Sequence, residues 1–304
     1  MSAAAYRPTA SSPWSCCPRL SPLPSLTESF VYSLCMPGKT SSKLSGYSYP
    51  LSPSGGSSMI TPPPWHFSGN MLWIEYAVDQ EAAQSFLPDG LVLSQGGLTA
   101  AAVFSEWEWC SADALESSDP VGCQFSEFQI VLACEHLGRP MARCPYAWVD
   151  SATSLSRGWI QGMPKQFGSI HLTRMFPVGR AGGRRLPGAR LSGSLGVHDR
   201  RFASATITLR QPEGSAPPLA RVPLVHSQMV SRWTGEESSG SRLITSRVSG
   251  VEFGDVWSGT AEIEFDRETI RARDRDLLSL LPLETGTGYS FAYAETLEGG
   301  AYLD

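Results

Sequence analysis

Long apolar runs and an excess of positive charge are both absent from this sequence of 304 residues. No segment approaches the ~18 consecutive apolar residues that a membrane-spanning helix needs, so we expect no membrane partner. The formal net charge is −5, which argues against a surface built to bind nucleic acid. Because 41% of the residues are hydrophobic, the chain has enough apolar side chains for a sizeable core, and disorder throughout the chain is excluded.

Motifs for metal binding, disulfide frameworks and serine hydrolases are also missing. The seven cysteines include no CxxC pair, and this odd number is typical of reduced thiols rather than of disulfides or a zinc site. The five histidines are scattered and form no HExxH motif, so we expect no metal and no cofactor. There is no GxSxG nucleophile motif. The N-terminus shows no basic region followed by an apolar one, and a cytoplasmic protein is therefore expected.

Lysine is scarce in this chain. Of the 24 basic residues only three are lysines, and the others are arginines. Lys39 and Lys43 lie in a Ser/Pro-rich segment without periodicity, and residues 1–45 are accordingly predicted to form a disordered tail. Lys165 is the only lysine in residues 46–304, which we predict to form a single folded domain.

Apolar residues alternate through most of the predicted domain, a pattern that predicts short strands. Two segments instead predict helices: residues 79–90, with Asp79 as N-cap, and residues 150–162, capped by Asp150 or Ser151. Because the strands are not regularly interleaved with helices, the pattern favours a β-dominated barrel or sandwich-like α+β fold over a doubly wound sheet. Strands are predicted over residues 71–78, 98–109, 127–137, 142–150, 169–176, 189–197, 202–211, 242–253, 258–265 and 289–297.

Lys165 lies in the segment GWIQGMPKQFG, between a predicted helix and a predicted strand. Its neighbours in the sequence are largely apolar, and burial among apolar groups lowers the pKa of a lysine and frees a nucleophilic amine. Such an amine condenses with a carbonyl group to form a Schiff base, which arginine cannot do. In a chain that otherwise takes its positive charge from arginine, this lysine is a candidate catalytic nucleophile. The alternative is an ordinary surface lysine that follows a turn.

Several segments carry recognisable motifs: GYSYPLSPSG, PPPWHFSG, FSEWEW, SDPVGCQFSEF, CPYAWVDSATSLSRGWIQGMPKQFG, DVWSGTAEIEF and TGTGYSFAYAET. Together they resemble the acetoacetate decarboxylase-like superfamily over roughly residues 46–303. The resemblance implies an antiparallel β-barrel or cone with a few short helices, and a homo-oligomer. It also places Lys165 at the position of the Schiff-base lysine.

Two departures from the founding decarboxylase of that superfamily bear on the reaction. The founding enzyme has a second lysine directly after the catalytic one, and the second charge lowers the pKa of the first. This chain has Gln166 at that place, so a lysine introduced there is expected to shift the pH profile toward lower pH. An Arg–Glu pair of the founding enzyme is replaced by Arg157 and Gly158. The forms RGWIQGMPK and PPPWHF are more similar to a branch that condenses pyruvate with an aldehyde and dehydrates the adduct.

The resemblance leaves three alternatives for the function. The first is a Schiff-base lyase of specialised metabolism that joins a small oxo acid to an aldehyde and dehydrates the product. The second is decarboxylation of a β-keto acid through the same imine. The third is a catalytically silent protein that binds a carbonyl ligand. In each case the partner is a small molecule rather than a nucleic acid or a membrane.

The resemblance also assigns further site residues. Glu127 matches an active-site glutamate of the family, and Glu106 is a second candidate for proton transfer; the alternative for each is an exposed carboxylate. Tyr293 matches a C-terminal tyrosine of the aldolase branch, or else is a core aromatic residue. Arg157 can bind a substrate carboxylate through two parallel hydrogen bonds, or else is a solvated arginine at a helix end. The substrate-binding candidates are Gln161, Tyr293, Arg157, Gln166 and, at the mouth of the pocket, Trp65 and His66. For Trp65 the favoured alternative is packing.

Overall fold

The computed structural model describes residues 43–96, 98–176, 178–231, 233–234 and 240–303. The tail predicted over residues 1–45 falls almost entirely outside these ranges. The strands are β1 (Trp65–Ala77), β2 (Val92–Leu93), β3 (Ala100–Ser111), β4 (Gln124–His136), β5 (Arg139–Val149), β6 (Lys165–Phe167), β7 (Ser169–Leu172), β8 (Arg190–Val197), β9 (Arg200–Glu213), β10 (Leu224–Met229), β11 (Ser241–Phe253), β12 (Val256–Phe265) and β13 (Glu284–Tyr302). The α-helices are α1 (Gln80–Ser85), α2 (Pro120–Cys123), α3 (Ala152–Gln161) and α4 (Arg267–Arg273).

Seven of the described strands pair in a closed ring. β1 pairs with β3 along one edge and with β13 along the other, and the pairings β3–β4–β5–β10–β11–β13 complete the circuit. From β13 the sheet continues outward through β12, β9, β8 and β7. Among the described strand pairings, β5–β10 and β5–β6 are parallel, and the others are antiparallel. The β-dominated α+β fold with a few short helices is confirmed, and the two parallel pairings are an addition that strand periodicity did not predict.

Side chains alternate between the inside and the outside of the ring, because successive residues of a strand point to opposite faces. On β1, Met71 and Trp73 line the interior. Leu72 and Ile74 of the same strand belong to the main hydrophobic core instead, together with Ile207 of β9. The main core therefore lies between the outer face of the ring and the outward extension of the sheet, which leaves the interior of the ring free for a cavity.

Both predicted helices are present, and both are shorter than predicted. α1 begins after Asp79, whose Oδ1 accepts a hydrogen bond from Ala82 N at 2.8 Å. α3 begins after Ser151, whose Oγ accepts a hydrogen bond from Ser154 N. It ends at Gly162, which has a φ of +85°, and a Cβ there would lie 2.7 Å from the backbone of β10, so this turn requires glycine. No helix in the described ranges is long and apolar enough to cross a membrane.

Candidate active site

Lys165 is the first residue of β6, and its side chain lines the interior of the ring. β6 runs parallel to β5, with Lys165 paired to Ala147, and the lysine side chain is only 5% exposed. Its Nζ lies 2.9 Å from Glu127 Oε1 and donates a hydrogen bond to Ser154 Oγ at 3.0 Å. Lys165 is therefore a buried amine held by two neighbours, not a surface lysine after a turn.

Helix α3 leaves room for the lysine side chain at Gly158. A Cβ at that position would lie 2.4 Å from Lys165 Cδ and 2.9 Å from its Cε. After the helix ends, Met163 N donates a hydrogen bond to Gly158 O at 2.8 Å. The segment RGWIQGMPK thus turns the chain back on itself and brings Lys165 against the helix that precedes it in the sequence.

Burial dominates the electrostatics of Lys165. Removal from water lowers the pKa of the amine below its ordinary value, because the charged form loses its hydration. The negative charge of Glu127 opposes this shift, whereas the positive charge of Arg157 adds to it. The net lowering increases the fraction of neutral amine near neutral pH, and the neutral amine is the form that attacks a carbonyl carbon.

Arg157 is buried in a box of aromatic rings. Its Cζ lies 4.4 Å from the ring centroid of Trp109 and 4.7 Å from that of Phe67, with the rings of Phe125 and Trp65 at 5.5 and 5.7 Å. Burial lowers the pKa of the guanidinium group to about 9. Neither Nη1 nor Nη2 has a hydrogen-bond partner in the described part of the chain, although both are buried. A buried cation with unused donors suits a substrate carboxylate, which would accept two hydrogen bonds from it.

A second carboxyl group of the site, Glu295, belongs to β13. Its Oε2 accepts a hydrogen bond from Tyr293 Oη at 2.8 Å. Burial raises the pKa of Glu295 and the charge of Glu127 raises it further, while the bond from Tyr293 acts in the opposite direction. Burial also raises the pKa of Tyr293. The sequence analysis missed Glu295, although alternation in the segment YSFAYAET places it on the same strand face as Tyr293 and Phe291.

A cavity of about 530 Å³ inside the ring brings these groups together. Its walls are mainly apolar and carry a few polar groups, as in other small-molecule sites. The volume accommodates a ligand considerably larger than pyruvate. The expected site residues that line the cavity are Lys165, Glu127, Arg157, Gln161 and Tyr293.

Glu106 lies on the opposite face of β3. Its neighbours Ser105 and Trp107 line the cavity, so Glu106 points out of the ring by alternation. There its Oε1 is 3.8 Å from Nε of Arg174, a mostly exposed side chain. The proton-transfer role expected of Glu106 is therefore not assigned to it, and Glu295 is the second carboxyl group of the cavity.

Three expected substrate contacts lie outside the cavity lining. Gln166 is exposed and faces away from Lys165, because adjacent residues of β6 point to opposite sides. Trp65 is buried, packs against the guanidinium group described above and donates its indole N–H to a backbone carbonyl. His66 is exposed, and its ring contacts a threonine hydroxyl. Trp65 thus supports the arginine, whereas Gln166 and His66 face solvent.

Neither a cluster of metal-ligating residues nor a reactive buried thiol is seen in the part of the chain that the structure describes. Among the residues that the structure describes, no group of three or more His, Cys, Asp or Glu could hold a metal ion. The four described cysteines are free. Burial raises the pKa of Cys134 and of Cys144 to about 12, so neither forms a thiolate near neutral pH.

Comparison with known proteins agrees with the motifs in the sequence. The family model for acetoacetate decarboxylase matches residues 48–304. One similar solved structure is the enduracididine biosynthesis enzyme MppR, complexed with the condensation product of pyruvate and imidazole 4-carboxaldehyde. Its TM-score to this chain is 0.82 and the sequences are 49% identical, over 86% of this chain and 98% of MppR. MppR complexed with pyruvate has a TM-score of 0.81 at the same identity and coverage. A more distant similarity is to an acetoacetate decarboxylase-like enzyme from Sphingomonas wittichii RW1, with a TM-score of 0.74. The two sequences are 23% identical over 86% of this chain and 99% of that one, so this similarity supports the fold alone. No curated protein matches the chain.

Proposed function

This chain belongs to the acetoacetate decarboxylase family, and from that membership we propose that it is a lysine Schiff-base lyase acting on a small oxo acid. The favoured reaction joins the oxo acid to an aldehyde and dehydrates the adduct. The observation that carries this proposal is the buried amine of Lys165, which lies 2.9 Å from the Glu127 carboxylate and has a lowered pKa.

The first half of the reaction activates the oxo acid. The neutral amine of Lys165 attacks the ketone carbon of pyruvate, one proton is taken up from solvent, and loss of one water gives a protonated imine. The imine withdraws electrons from the adjacent methyl carbon, and Glu127 removes a methyl proton to form an enamine. Arg157 holds the carboxylate of the oxo acid through its unused Nη1 and Nη2 groups, and Gln161 supplies an amide in the same cavity.

The second half forms and dehydrates the carbon–carbon bond. The enamine carbon attacks the aldehyde carbon, the C=O electron pair moves to oxygen, and that oxygen takes a proton from Glu295, whose raised pKa favours the protonated acid. In the elimination, Glu127 returns its proton to the departing hydroxyl group, which leaves as water, and Glu295 removes the carbon proton. A further water hydrolyses the protonated imine, which restores the neutral amine of Lys165 and returns one proton to solvent. The net reaction releases one water and an unsaturated oxo acid.

The similarity to MppR supports condensation and the choice of substrates. MppR is 49% identical over nearly its whole chain and has been solved with a condensation product of pyruvate and an aldehyde. We therefore propose pyruvate as the first substrate and a heteroaromatic aldehyde as the first candidate for the second. Because MppR is an enzyme of enduracididine biosynthesis, we also propose a role in specialised metabolism. A cytoplasmic homo-oligomer remains a prediction.

Decarboxylation of a β-keto acid is the second candidate, and the charge of Arg157 favours it. That charge lowers the pKa of Lys165, as the second lysine does in the founding decarboxylase. The imine would then accept the electron pair of the carbon–carboxylate bond, and carbon dioxide would leave in place of a proton. Acetone release from acetoacetate measures this activity, and release faster than condensation would reverse the ranking of the two reactions.

Borohydride trapping with pyruvate distinguishes an enzyme of this type from a silent binding protein. We expect the mass of one reduced pyruvate to be added at Lys165, located by peptide mass spectrometry. Lys165→Arg keeps the positive charge but cannot form an imine, so labelling and turnover should both disappear. Lys43→Arg changes the other described lysine, which is exposed, and should label like the parent protein. Absence of labelling in the parent, or labelling in Lys165→Arg, would contradict the Schiff-base proposal.

A further inference from the structure

His226 is a buried polar residue of the cavity that the reaction described above leaves unused. It belongs to β10, lines the cavity and is 3% exposed. Its Nδ1 is buried and has no hydrogen-bond partner in the described ranges. Buried polar groups in native proteins are nearly always hydrogen-bonded. A polar group without a partner, at the wall of a cavity, indicates that a ligand supplies the missing partner.

The surroundings of His226 hold the imidazole in its neutral form. Burial lowers the pKa of His226 to about 3, and the positive charges of Arg143 and Lys165 act in the same direction. A neutral imidazole carries one N–H donor and one acceptor nitrogen. It does not deliver a proton as an acid near neutral pH. Its N–H group can still polarise a carbonyl, as the neutral histidine of triosephosphate isomerase does.

Strand β5 places His226 near the catalytic amine. β4 pairs along one edge of β5, and two parallel segments share the other edge, with Val225 beside Arg143 and Lys165 beside Ala147. Along β5, His226 lies one residue beyond Val225 in the direction of Lys165. The backbones of His226 and Lys165 are therefore about three strand residues apart, or ~10 Å. A separation of that size accommodates the lysine-bound oxo acid and the carbonyl group that it attacks.

We propose that His226 is the hydrogen-bond donor that polarises the carbonyl oxygen of the second substrate, the aldehyde attacked by the lysine-bound oxo acid. This inference rests on the proposed function and adds a contact at the second reactant. As the new carbon–carbon bond forms, the C=O electron pair moves to oxygen, and the N–H group stabilises the developing negative charge. The proton that neutralises this oxygen comes from Glu295, so the imidazole is unchanged after the step.

Two substitutions at position 226 test this contact. His226→Leu removes the donor, whereas His226→Gln retains a neutral N–H donor. With pyruvate and imidazole 4-carboxaldehyde as the probes, we expect His226→Leu to lower kcat by ~100-fold, the typical effect of removing one donor to a developing oxyanion. His226→Gln should recover part of this loss, and KM should change less than kcat. An undiminished kcat in a folded His226→Leu variant would overturn the inference.

The pH profile of kcat separates a neutral donor from a titrating acid or base. If the imidazole stays neutral, kcat should rise and fall at the same pH values in the parent protein and in His226→Gln, between about pH 5 and 8. A pH-dependent rise or fall in kcat that is present in the parent and lost in His226→Gln would overturn the role of a neutral donor. Recovery of kcat by glutamine, with little change in KM, is the readout that distinguishes a contact with the reacting oxygen from a merely structural role.

Borohydride trapping of pyruvate keeps this inference distinguishable from the proposed function. Trapping at Lys165 should persist in both His226 variants, because imine formation does not involve the second substrate. Absence of trapping in the parent would overturn the proposed function and this inference with it, whereas normal trapping and normal kcat in His226→Leu would overturn this inference alone. His171→Leu replaces an exposed histidine and is the matched control, expected to behave like the parent.

Discussion

The amine of Lys165 and the carboxylate of Glu127 lie 2.9 Å apart, and each side chain is 5% exposed. Their strands, β6 and β4, pair with opposite edges of β5, so the contact depends on the register of three strands. A buried ion pair adds little net stability, because the loss of hydration offsets the attraction. Its consequence in the proposed reaction is chemical, since a proton acceptor stands beside the amine that would form the imine.

Glu127→Gln should reduce condensation by ~100-fold or more, because the amide cannot accept the methyl proton. Glu106→Gln is the matched control on the neighbouring strand. Its carboxylate faces out of the ring, and its exposed pair with Arg174, at 3.8 Å, contributes ~0–1 kcal/mol at most. Steady-state kinetics and thermal melting of the two variants compare them directly. Equal losses of activity would contradict the assignment of one carboxylate to the inside and the other to the outside.

Arg157→Gln should move the pH profile of imine formation to higher pH. The charge of Arg157 lowers the pKa of Lys165, so its removal raises that pKa and leaves less neutral amine at a given pH. Glu127→Gln should move the profile to lower pH, because the charge of Glu127 raises the same pKa. The rate of borohydride trapping at saturating pyruvate, measured over a pH series, gives each shift. If the profiles of Arg157→Gln and Glu127→Gln moved in the same direction, this account would be contradicted.

Gly158→Ala should separate stability from activity. Alanine in place of a helical glycine usually stabilises a helix by ~1 kcal/mol. Here the new Cβ would lie 2.4 Å from Lys165 Cδ, so the lysine side chain must leave its present position. A displacement of ~1 Å at a reacting group can cost ~100-fold in rate, and we expect trapping to slow to that extent in a folded protein. Gly214→Ala is the control, because nothing lies within 4 Å of its Cβ; similar rates in both variants would show that Gly158 does not position the amine.

Gln166→Lys should leave the pH profile of trapping unchanged. The sequence alone led to the opposite expectation, a shift toward lower pH. In the structure position 166 is exposed and faces away from the amine, and solvent and salt screen a charge placed there. The measurement is the pH series used for Arg157→Gln. A shift toward lower pH would show that the new ammonium group reaches Lys165.

The neutral imidazole of His226 should make the protein less stable in acid. Its pKa is about 3 in the folded protein against an ordinary value of 6.5, so the unfolded chain binds this proton more readily. The free energy of unfolding should therefore fall as the pH is lowered from 6.5 toward 3, by up to ~1.4 kcal/mol per pH unit from this group. His226→Gln lacks the titration and should show a shallower decline in urea denaturation over this range. Parallel declines would contradict a buried neutral histidine.

The central part of the site could be predicted because one continuous segment carries both the candidate lysine and part of the family resemblance. Arg157, Gln161 and Lys165 lie on one helix and at the start of the strand that follows it, and all three line the cavity. Local turn and cap signals were enough to place this segment between a helix and a strand. The β-dominated fold could also be predicted, because alternation of apolar residues is itself a local pattern.

The rest of the site depends on contacts between distant segments. Alternation shows that Glu106 and its neighbours Ser105 and Trp107 take opposite faces of β3, but only the closed ring decides which face is inside. Glu295 requires the pairing of β13 with β1, and His226 requires the parallel pairing of β10 with β5. No local pattern in one sequence determines such pairings, although alternation with Tyr293 is a local signal that could have indicated Glu295.

The ring is closed by the first and last of its strands in the sequence. Met71 of β1 pairs with Phe291 of β13, about 220 residues further along the chain. During synthesis on the ribosome, a chain that already contains Lys165 and Glu127 therefore lacks one wall of the cavity until the final strand has emerged. Contacts of such long range form slowly, and the apolar lining stays open to aggregation in the meantime. The nascent chain thus contains Lys165 long before it contains Tyr293 and Glu295, and the cavity is enclosed only after β13 has been synthesised.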